Sequence, residues 1–541
     1  MLTEDAATVL AYHERSKHQL NRYAAGPQTL DWDAQPDPFR RFAGAPLTPL
    51  PLPADNEKAA WTSIFSPGAI TPHAATRESL GLLFELSFAL SAWKRFGPDR
   101  WAVRCNPSSG NLHPTEVYLL AWGLGDLDGG LYHYAPKEHA LERRALLPQA
   151  ERGAAATRLL VGFSSIHWRE DWKYGERAFR YCQLDMGHAI GALRYAAAVL
   201  GWRVQEVGLE HAAAARLLGL DRADDFAGAE REEPEAVFEL RLGLADPGGC
   251  DPAAWMSGAV WSGHANRLDP RPMYHWPVID QVAQASRRTV PPPAVPLPSV
   301  AARRLLPHTR AAAATLIRSR RSAQRFDRRA QMDVHRFWPM VAALMPLTDD
   351  GRATIPWDMG PTPARVHAVL FAHRIDGLAP GAYLLRRNPS AQPALRAALP
   401  HLTWRQVEAS PPEAPLYELA HNPALAGTLR TLSCHQAIAA DAVFVVAMLA
   451  ELSPQLQNAP WHYRELLREA GQMGQVLYLE AEAAGLRGTG IGCYFDDPMR
   501  ELLGFSGQSS DTWQILYHFS VGRPVPDERI TSSQPYQEPA P

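Results

Sequence analysis

The chain has 541 residues, 46% of them hydrophobic and 21% charged, with a formal net charge of −3 at pH 7. That length exceeds what one hydrophobic core usually serves and predicts two domains of about 200 residues plus tails, while the near-neutral balance gives no reason to expect nucleic acid or a membrane surface as partner. No uncharged apolar run approaches the roughly 18 residues of a membrane helix. Met1-Leu2-Thr3-Glu4-Asp5 is polar and acidic, unlike a signal peptide. The five cysteines (Cys105, Cys182, Cys250, Cys434 and Cys493) lie far apart with no Cys-x-x-Cys pair, a usage that suits a reducing cytoplasm.

In chain order, residues 1–60 read as an arm with little regular structure. Asn106-Pro107-Ser108-Ser109-Gly110-Asn111-Leu112-His113-Pro114 is a loop before the strand Val117–Trp122; Pro, Ser, Gly and Asn are ordinary turn formers, but such a loop also offers hydroxyl, amide and backbone groups to a polar heteroaromatic edge. Gly123–Gly129 is a turn, since no Gly-x-Gly-x-x-Gly follows a strand there. Leu159–Phe163 is a short apolar strand of the covered kind. The run from Leu184-Asp185-Met186-Gly187-His188 to Trp202 is apolar around most of its circumference, which predicts a buried helix. Residues 246–300, with Pro291-Pro292-Pro293 and Pro296-Leu297-Pro298, read as an ordered or semi-rigid connector. Cys250, His264 and His275 lie there without metal-ligand spacing, and no metal is expected.

The second half then repeats the first. Arg468-Glu469-Ala470-Gly471-Gln472 opens a helical run of the same length, so that Gly187 to Gly201 and Gly471 to Gly485 both span fourteen residues. Leu217-Leu218-Gly219 matches Leu502-Leu503-Gly504, and Gly130-Leu131-Tyr132 matches Gly381-Ala382-Tyr383. The strand Leu159–Phe163 matches Val443–Met448, and Val237–Gly243 matches Ile515–Gly522. Weak singly, these pairs are collinear, and together they predict a tandem duplication: a domain over 61–245, the connector, a second domain over 301–530, and a loose tail from 531 to 541.

Two further segments carry chemistry. Arg318-Ser319-Arg320-Arg321-Ser322-Ala323-Gln324-Arg325-Phe326 is either a solvated basic face or a phosphate site, because guanidinium binds phosphate oxygens bidentately and a hydroxyl adds a donor. Gly488-Thr489-Gly490-Ile491-Gly492-Cys493-Tyr494 is either a flexible loop or a place where backbone N–H groups approach a ligand. Cys434-His435-Gln436 suggests a nucleophile beside a base, but adjacent residues seldom face each other, and a packed cysteine is the expectation.

Together the Asn106–Pro114, Arg318–Phe326 and Gly488–Tyr494 segments resemble the FMN-dependent nitroreductase family over most of the chain. The resemblance implies an α+β fold: two fused nitroreductase-like domains in an intramolecular pseudo-dimer, with central, mostly antiparallel sheets flanked by helices. It implies that Arg320, Arg321 and Ser322 hold the FMN phosphate with Arg523 after the last strand. Pro107, Ser108, Ser109 and Asn111 would contact the isoalloxazine, with Gly490, Ile491 and Gly492 beside the ring. Gln324 stands where many relatives carry Lys or Arg at the flavin pyrimidine edge; a neutral amide there should lower the reduction potential. Trp172-Lys173-Tyr174-Gly175-Glu176-Arg177 looks most like the SagB-type branch, whose members oxidise thiazolines and oxazolines in peptides. That likeness implies Lys173 and Tyr174 as catalytic proton-handling residues. Half one lacks the arginine clamp, having Ala75-Thr76-Arg77-Glu78-Ser79 and, after its last strand, Leu244. Half two has Gly360–Arg365 where the serine loop would be. These complementary losses imply one FMN per chain, shared by the halves. The implied activity is hydride transfer between flavin N5 and an organic substrate, small molecule or modified peptide, with NAD(P)H as a candidate donor. The implied enzyme is cytoplasmic and competent as a monomer; a flavin-free pseudoenzyme or scaffold subunit is the alternative.

Overall fold

The computed structural model describes residues 2–53, 57–147, 157–243, 256–291, 300–349, 351–360, 364–402, 404–505 and 512–536. The chain divides into two compact units. One comprises residues 1–25, 294–311 and 315–528; the other comprises 26–293, 312–314 and 529–541. Pro361-Thr362-Pro363, Leu244, Cys250 and the proline runs at 292–299 lie outside the described residues.

The N-terminal segment is more regular than its composition suggests. Helix α1 (Glu4–Arg15) starts at Thr3, whose hydroxyl accepts from the Ala6 amide, and it carries acids in its first turn and Arg15 in its last. It belongs to the later unit, where His13 Nδ1 lies 3.1 Å from the Tyr463 hydroxyl and Lys17 Nζ donates to Asp497 at 2.9 Å.

The earlier unit begins with α2 (Arg77–Ser87). Thr76 and Ser79 form a reciprocal capping box at its start. Ala75–Ser79 therefore opens a helix, whereas Arg320–Ser322 follows one, so the two segments are not structural counterparts. A ribbon of β1 (Leu90–Phe96) and β2 (Asp99–Arg104) follows. The main sheet contains β3 (Thr115–Trp122), β4 (Gly130–Ala135), β5 (Ala140–Leu146) and β6 (Arg158–Ser165). After β6 come α3 (His167–Tyr174) and α4 (Ala178–Val199), then β7 (Arg203–Glu206) and β8 (Glu233–Arg241). The strand order is β5-β4-β3-β6-β8-β7, antiparallel throughout. All 22 residues of α4 are buried, Arg180, Gln183, Asp185, His188 and Arg194 among them, so the helix is buried as expected but not apolar all round.

In the later unit, α5 (Ala313–Ser319), most of which belongs to it, precedes the sheet. Its sheet contains β9 (Val366–Ala372), β10 (Gly381–Leu385) and β11 (Leu416–His421). Then follow α6 (Leu425–Leu432), β12 (Phe444–Glu451), α7 (His462–Ala483), β13 (Arg487–Ile491) and β14 (Trp513–Gly522). The order is β11-β10-β9-β12-β14-β13, again antiparallel and in the same sequence of positions. Finally β15 (Thr531–Ser533), which belongs to the earlier unit, pairs with β1 there.

The small repeated motifs hold the same jobs in both units. Gly201 (φ 68°) and Gly485 (φ 73°) stop α4 and α7 in the left-handed region. In each case the next amide closes the turn: Trp202 N donates to Ala197 O and Leu486 N to Ala481 O, both at 2.8 Å. Gly130 and Gly381 each lie against a carbonyl of the neighbouring strand, Ala145 and Ala420, which leaves no room for a Cβ. Two residues on, Tyr132 and Tyr383 both donate to the carbonyl four residues back, Asp128 and Ala379. Among the described residues no helix is long and apolar enough to cross a membrane.

Candidate functional site

In the later unit, the segment after α5 lies beside β13 and the residues leaving β14. Ala323 N donates to Gly488 O at 3.0 Å and the Thr489 hydroxyl donates to Ala323 O at 2.6 Å. On the other side Asp327 N donates to Arg523 O and Val525 N to Arg325 O. These backbone ties bring Arg320, Arg321, Ser322, Gln324, Gly490 and Arg523 into one neighbourhood, though 203 positions separate Arg320 from Arg523 (523 − 320). Ser322, Gln324 and Arg523 are exposed. Arg320 is buried with its guanidinium 5.0 Å from the Tyr478 ring centroid. Arg321 turns back and donates to the carbonyls of Arg318 and Arg320, both at 2.7 Å, so its guanidinium closes the end of α5. Ile491 is buried, its side chain in the hydrophobic core and its backbone paired with His518 of β14.

Tyr478, on α7, escaped the sequence reading. Its hydroxyl lies 2.8 Å from Ser322 Oγ and accepts from Gly490 N at 3.2 Å, tying the arginine segment to β13; Gly488–Ile491, expected as a loop, is a strand paired with β14. The glycine at 490 has an internal reason, since a Cβ there would run into the Tyr517 hydroxyl. Tyr478→Phe should cost about 1 kcal/mol of stability and speed exchange of the Gly490 amide, read by urea titration and hydrogen exchange. An amide as protected as in the parent chain would contradict this bridging role. An acid also stands here: Glu482 Oε1 accepts from Arg321 N at 3.3 Å, and burial pushes its carboxyl upward against the pull of Arg487 and the other arginines.

In the earlier unit, the serine loop adopts a conformation that most residues avoid. Gly110, Asn111 and His113 all have positive φ (59°, 61° and 55°), the last two without the freedom of glycine. The loop is held from beneath by Asp185 of α4. Its carboxyl accepts from Ser108 Oγ at 2.7 Å, Ser109 Oγ at 2.8 Å and Ser109 N at 3.0 Å. Asn111 donates from Nδ2 to Ala102 O at 2.8 Å, and its Oδ1 is 3.1 Å from His113 Nε2. Both serine hydroxyls thus point to Asp185, Pro107 is buried, and the exposed part of the loop is Gly110.

Lys173 and Tyr174, at the end of α3, converge on that same glycine. A Cβ on Gly110 would meet the Tyr174 hydroxyl and, at 3.2 Å, Lys173 Nζ. Burial lowers the Lys173 pKa, opposed by Glu170. Burial also raises the Tyr174 phenol well above its usual value, reinforced by Glu170 and Tyr181. Exposed Trp32 (61% exposed) packs its ring 5.4 Å from Trp172 and 5.7 Å from Lys173 Nζ, adding an aromatic wall. Beneath lies an acid cluster. Burial pushes Glu170 and Asp171 well above the carboxylate range, and it raises Asp185 to about 7 against the serine hydrogen bonds. Neither Glu170 oxygen has a hydrogen-bond partner among the described residues. Asp185 is one of several buried polar or charged residues of α4, with Arg180, Gln183, His188 and Arg194, and a buried charge of this kind needs partners.

Cys434 and Cys493 form a disulfide across 59 positions, which corrects the expectation of a packed, unpaired Cys434. The tip of the segment after α6 folds against the residues after β13, a proximity that no sequence spacing announces. Cys105 and Cys182 are buried and are not joined in a disulfide. Among the described residues no group of His, Cys, Asp and Glu is arranged to hold a metal ion.

The two sheets with their flanking helices have the fold of the nitroreductases. The whole chain is similar to a candidate nitroreductase structure from Anabaena variabilis, with a TM-score of 0.67 at 19% identity, over 96% of this chain and 99% of that one. A candidate nitroreductase from Ralstonia eutropha matches 38% of this chain and 96% of its own, with a TM-score of 0.26 at 17% identity. In sequence, a candidate nitroreductase of Methanocaldococcus jannaschii is 26% identical over 119 residues, covering 20% of this chain and 60% of that protein. The chain thus matches less than two thirds of that relative's length. No family model matches the chain.

Proposed function

We propose that the chain is an FMN-dependent oxidoreductase of the nitroreductase kind, arisen by tandem duplication, with a SagB-type reactive centre. The duplication is supported by the shared order of six strands in the two sheets, which differ at their edges, and by the glycine and tyrosine pairs that serve the same turns in both. The observation that carries the cofactor assignment is the gathering of Arg320, Ser322, Gln324, Gly490 and Arg523 on adjoining backbone. Two guanidiniums, a hydroxyl and an amide form a donor set that fits a phosphate close to doubly charged and a polar ring edge. Bound there, FMN would supply two-electron exchange with an organic substrate.

The chain's own residues divide the remaining work. Arg320 and Arg523 would neutralise the phosphate, Ser322 would donate beside them, and Gln324 would meet the pyrimidine edge without charge. Ile491 and Gly492 would contribute backbone. Arg321 closes α5 and so fixes the direction of the segment. Pro107, Ser108, Ser109 and Asn111 would present the loop whose shape Asp185 maintains. Lys173, its pKa lowered by burial, exchanges a proton more readily near neutrality than a surface lysine. Tyr174 stays protonated and can orient or donate to the substrate. The complementary losses in sequence argue for one FMN per chain, and the exposed Trp32 favours a planar or heteroaromatic substrate group, such as a thiazoline in a small molecule or peptide.

The test is the absorbance spectrum and flavin stoichiometry of the purified chain, with Arg320→Ala beside it. The substitution should weaken FMN binding by about 1.5–3 kcal/mol, the worth of one charge-assisted hydrogen bond; unchanged affinity would refute the phosphate assignment. A colourless chain that takes up no FMN would establish the flavin-free scaffold instead. Anaerobic mixing with NADPH then separates directions: rapid bleaching marks a reductase, and persistence of the yellow colour marks a dehydrogenase.

A further inference from the structure

The glycine segment is fastened at its far end by a bond that the oxidoreductase reading does not use. Gly490-Ile491-Gly492 runs directly into Cys493, and Cys493 is joined to Cys434 in the turn after α6, with the two Cα atoms 5.9 Å apart. Both cysteines are half-buried, in contrast to buried Cys105 and Cys182, and they sit among exposed Thr431, His435 and Ala437. Small thiols therefore have access to this pair that they lack at the other two. Cys434 and His435 are consecutive non-glycine residues in the left-handed region (φ 51° and 62°). Such backbone persists only where its surroundings over-determine it.

The surroundings also keep the sulfurs near each other when the bond is open. Phe495 N donates to Leu432 O at 2.8 Å, and Gln436 Nε2 donates to Cys493 O at 3.1 Å and to Ser433 O at 2.9 Å. These bonds bracket the disulfide on both sides. A reduced pair would remain at high effective concentration and re-form readily. Upstream, Gly490 and Ile491 end β13, paired with Phe519 and His518 of β14, and Gly490 N also donates to the Tyr478 hydroxyl. Downstream, buried Tyr494 donates to Ile515 O at 2.8 Å, so only Gly492 and Cys493 lie between these two fixings.

We propose that Cys434–Cys493 is a reversible thiol-exchange site, with low-molecular-weight thiols as its substrates, and that its reduction loosens the Gly492–Cys493 link that follows β13. An incoming thiolate attacks one sulfur, forming a mixed disulfide and releasing the other cysteine as thiolate. A second external thiol then resolves the mixed disulfide. The external thiols lose two electrons and leave as their own disulfide; the protein sulfurs gain two electrons and two protons. That the loosened link also alters cofactor retention rests on the FMN assignment above.

The test uses the full-length chain in graded mixtures of reduced and oxidised glutathione, with free thiols alkylated and located peptide by peptide. Expected is joint, reversible labelling of Cys434 and Cys493 in the folded chain, with Cys105 and Cys182 labelled only after denaturation. Backbone hydrogen exchange over residues 492–493 should rise on reduction in the parent chain and be insensitive to glutathione in the Cys434→Ser, Cys493→Ser double variant. A pair that resists reduction until the chain unfolds would overturn the proposal, as would reduction with unchanged exchange in the link. FMN titration of both redox forms should give several-fold weaker binding by the reduced one, and equal binding would overturn the cofactor coupling. No binding by either form would refute the FMN assignment, while the labelling and exchange results would still decide the thiol site.

Discussion

Replacing Arg169 with methionine should lower the unfolding free energy by about 3–5 kcal/mol, the usual consequence of removing one partner of a buried ion pair. Arg169 is fully buried on α3. It pairs with Glu116, donates to His113 O at 2.6 Å, and donates through Nε to Asp37 O at 3.0 Å. Behind Glu116 the charges continue: His133 bridges Glu116 at 2.9 Å and Glu142 at 2.8 Å. Burial alone would raise the Glu116 carboxyl, but Arg169 first and His133 after it hold it well below the carboxylate range. Burial likewise pulls His133 down, and its bonds to the two glutamates lift it above its usual value. Without the guanidinium, Glu116 must be protonated or stay charged out of water. The helix would suffer too. It has eight residues, no side-chain cap at Ile166, and Lys173 and Tyr174 at its end, so Arg169 is its main polar anchor. Urea unfolding monitored in the earlier unit measures the effect. Arg169→Met combined with Glu116→Gln should recover part of the loss, because the stranded charge is gone. A loss below about 1 kcal/mol for the single change would mean that the network is not a mutually dependent set.

Much of this architecture was legible in the chain, and for identifiable reasons. Helix stops and tight strand approaches admit few residue types, so Gly201 and Gly485, and Gly130 and Gly381, were legible as pairs that serve the same turns and strand approaches. The arginine segment was readable because charge clusters are local. What stayed hidden depends on contacts between distant positions. Asp185 binds Ser108 and Ser109 from about 76 residues away, and Tyr478 joins two segments it neighbours only through the packing of α7 on β13. The Cys434–Cys493 pair belongs to the same class. Helix α1 was missed for another reason: its stability comes from a Thr3 cap and from docking His13 and Lys17 on the later unit, not from a strong periodic signal of its own. Assigning Ala75–Ser79 as a degraded arginine clamp failed because Thr-x-x-Ser before an apolar run is a capping box, a local signal that outranked the alignment.

The chain should lose stability steadily from mildly acidic to neutral pH, and Asp185→Asn should flatten much of that decline. Asp185 titrates at about 7 in the folded chain against an ordinary 3.8, with burial raising it further than the serine hydrogen bonds lower it. A carboxyl with a raised folded value stabilises fully below its unfolded pKa, because there both states are protonated. That contribution drains away as pH climbs, since the unfolded chain releases the proton first, and it is gone above about 7. At about 1.4 kcal/mol per unit, the swing across the window is about 4 kcal/mol. Glu170 and Asp171 are shifted upward by burial as well, so they add slope of the same sign. Asparagine removes the ionisation while keeping an oxygen for the Ser109 amide, which isolates charge from loop shape. Unfolding free energies of the parent and variant at pH 5 and pH 7.5 provide the comparison, and a variant with the parent's full decline would show that Asp185 does not titrate in this range. The same titration reaches the proposed reactive centre. Once ionised, Asp185 faces Glu170 and the Ser108–Ser109 loop with a full negative charge, which raises the cost of ionising Glu170. A second proton is thereby kept on the helix that carries Lys173. Turnover limited by Lys173 should then show an inflection near pH 7 that disappears in Asp185→Asn, whereas a purely structural Asp185 would lower turnover without moving the inflection.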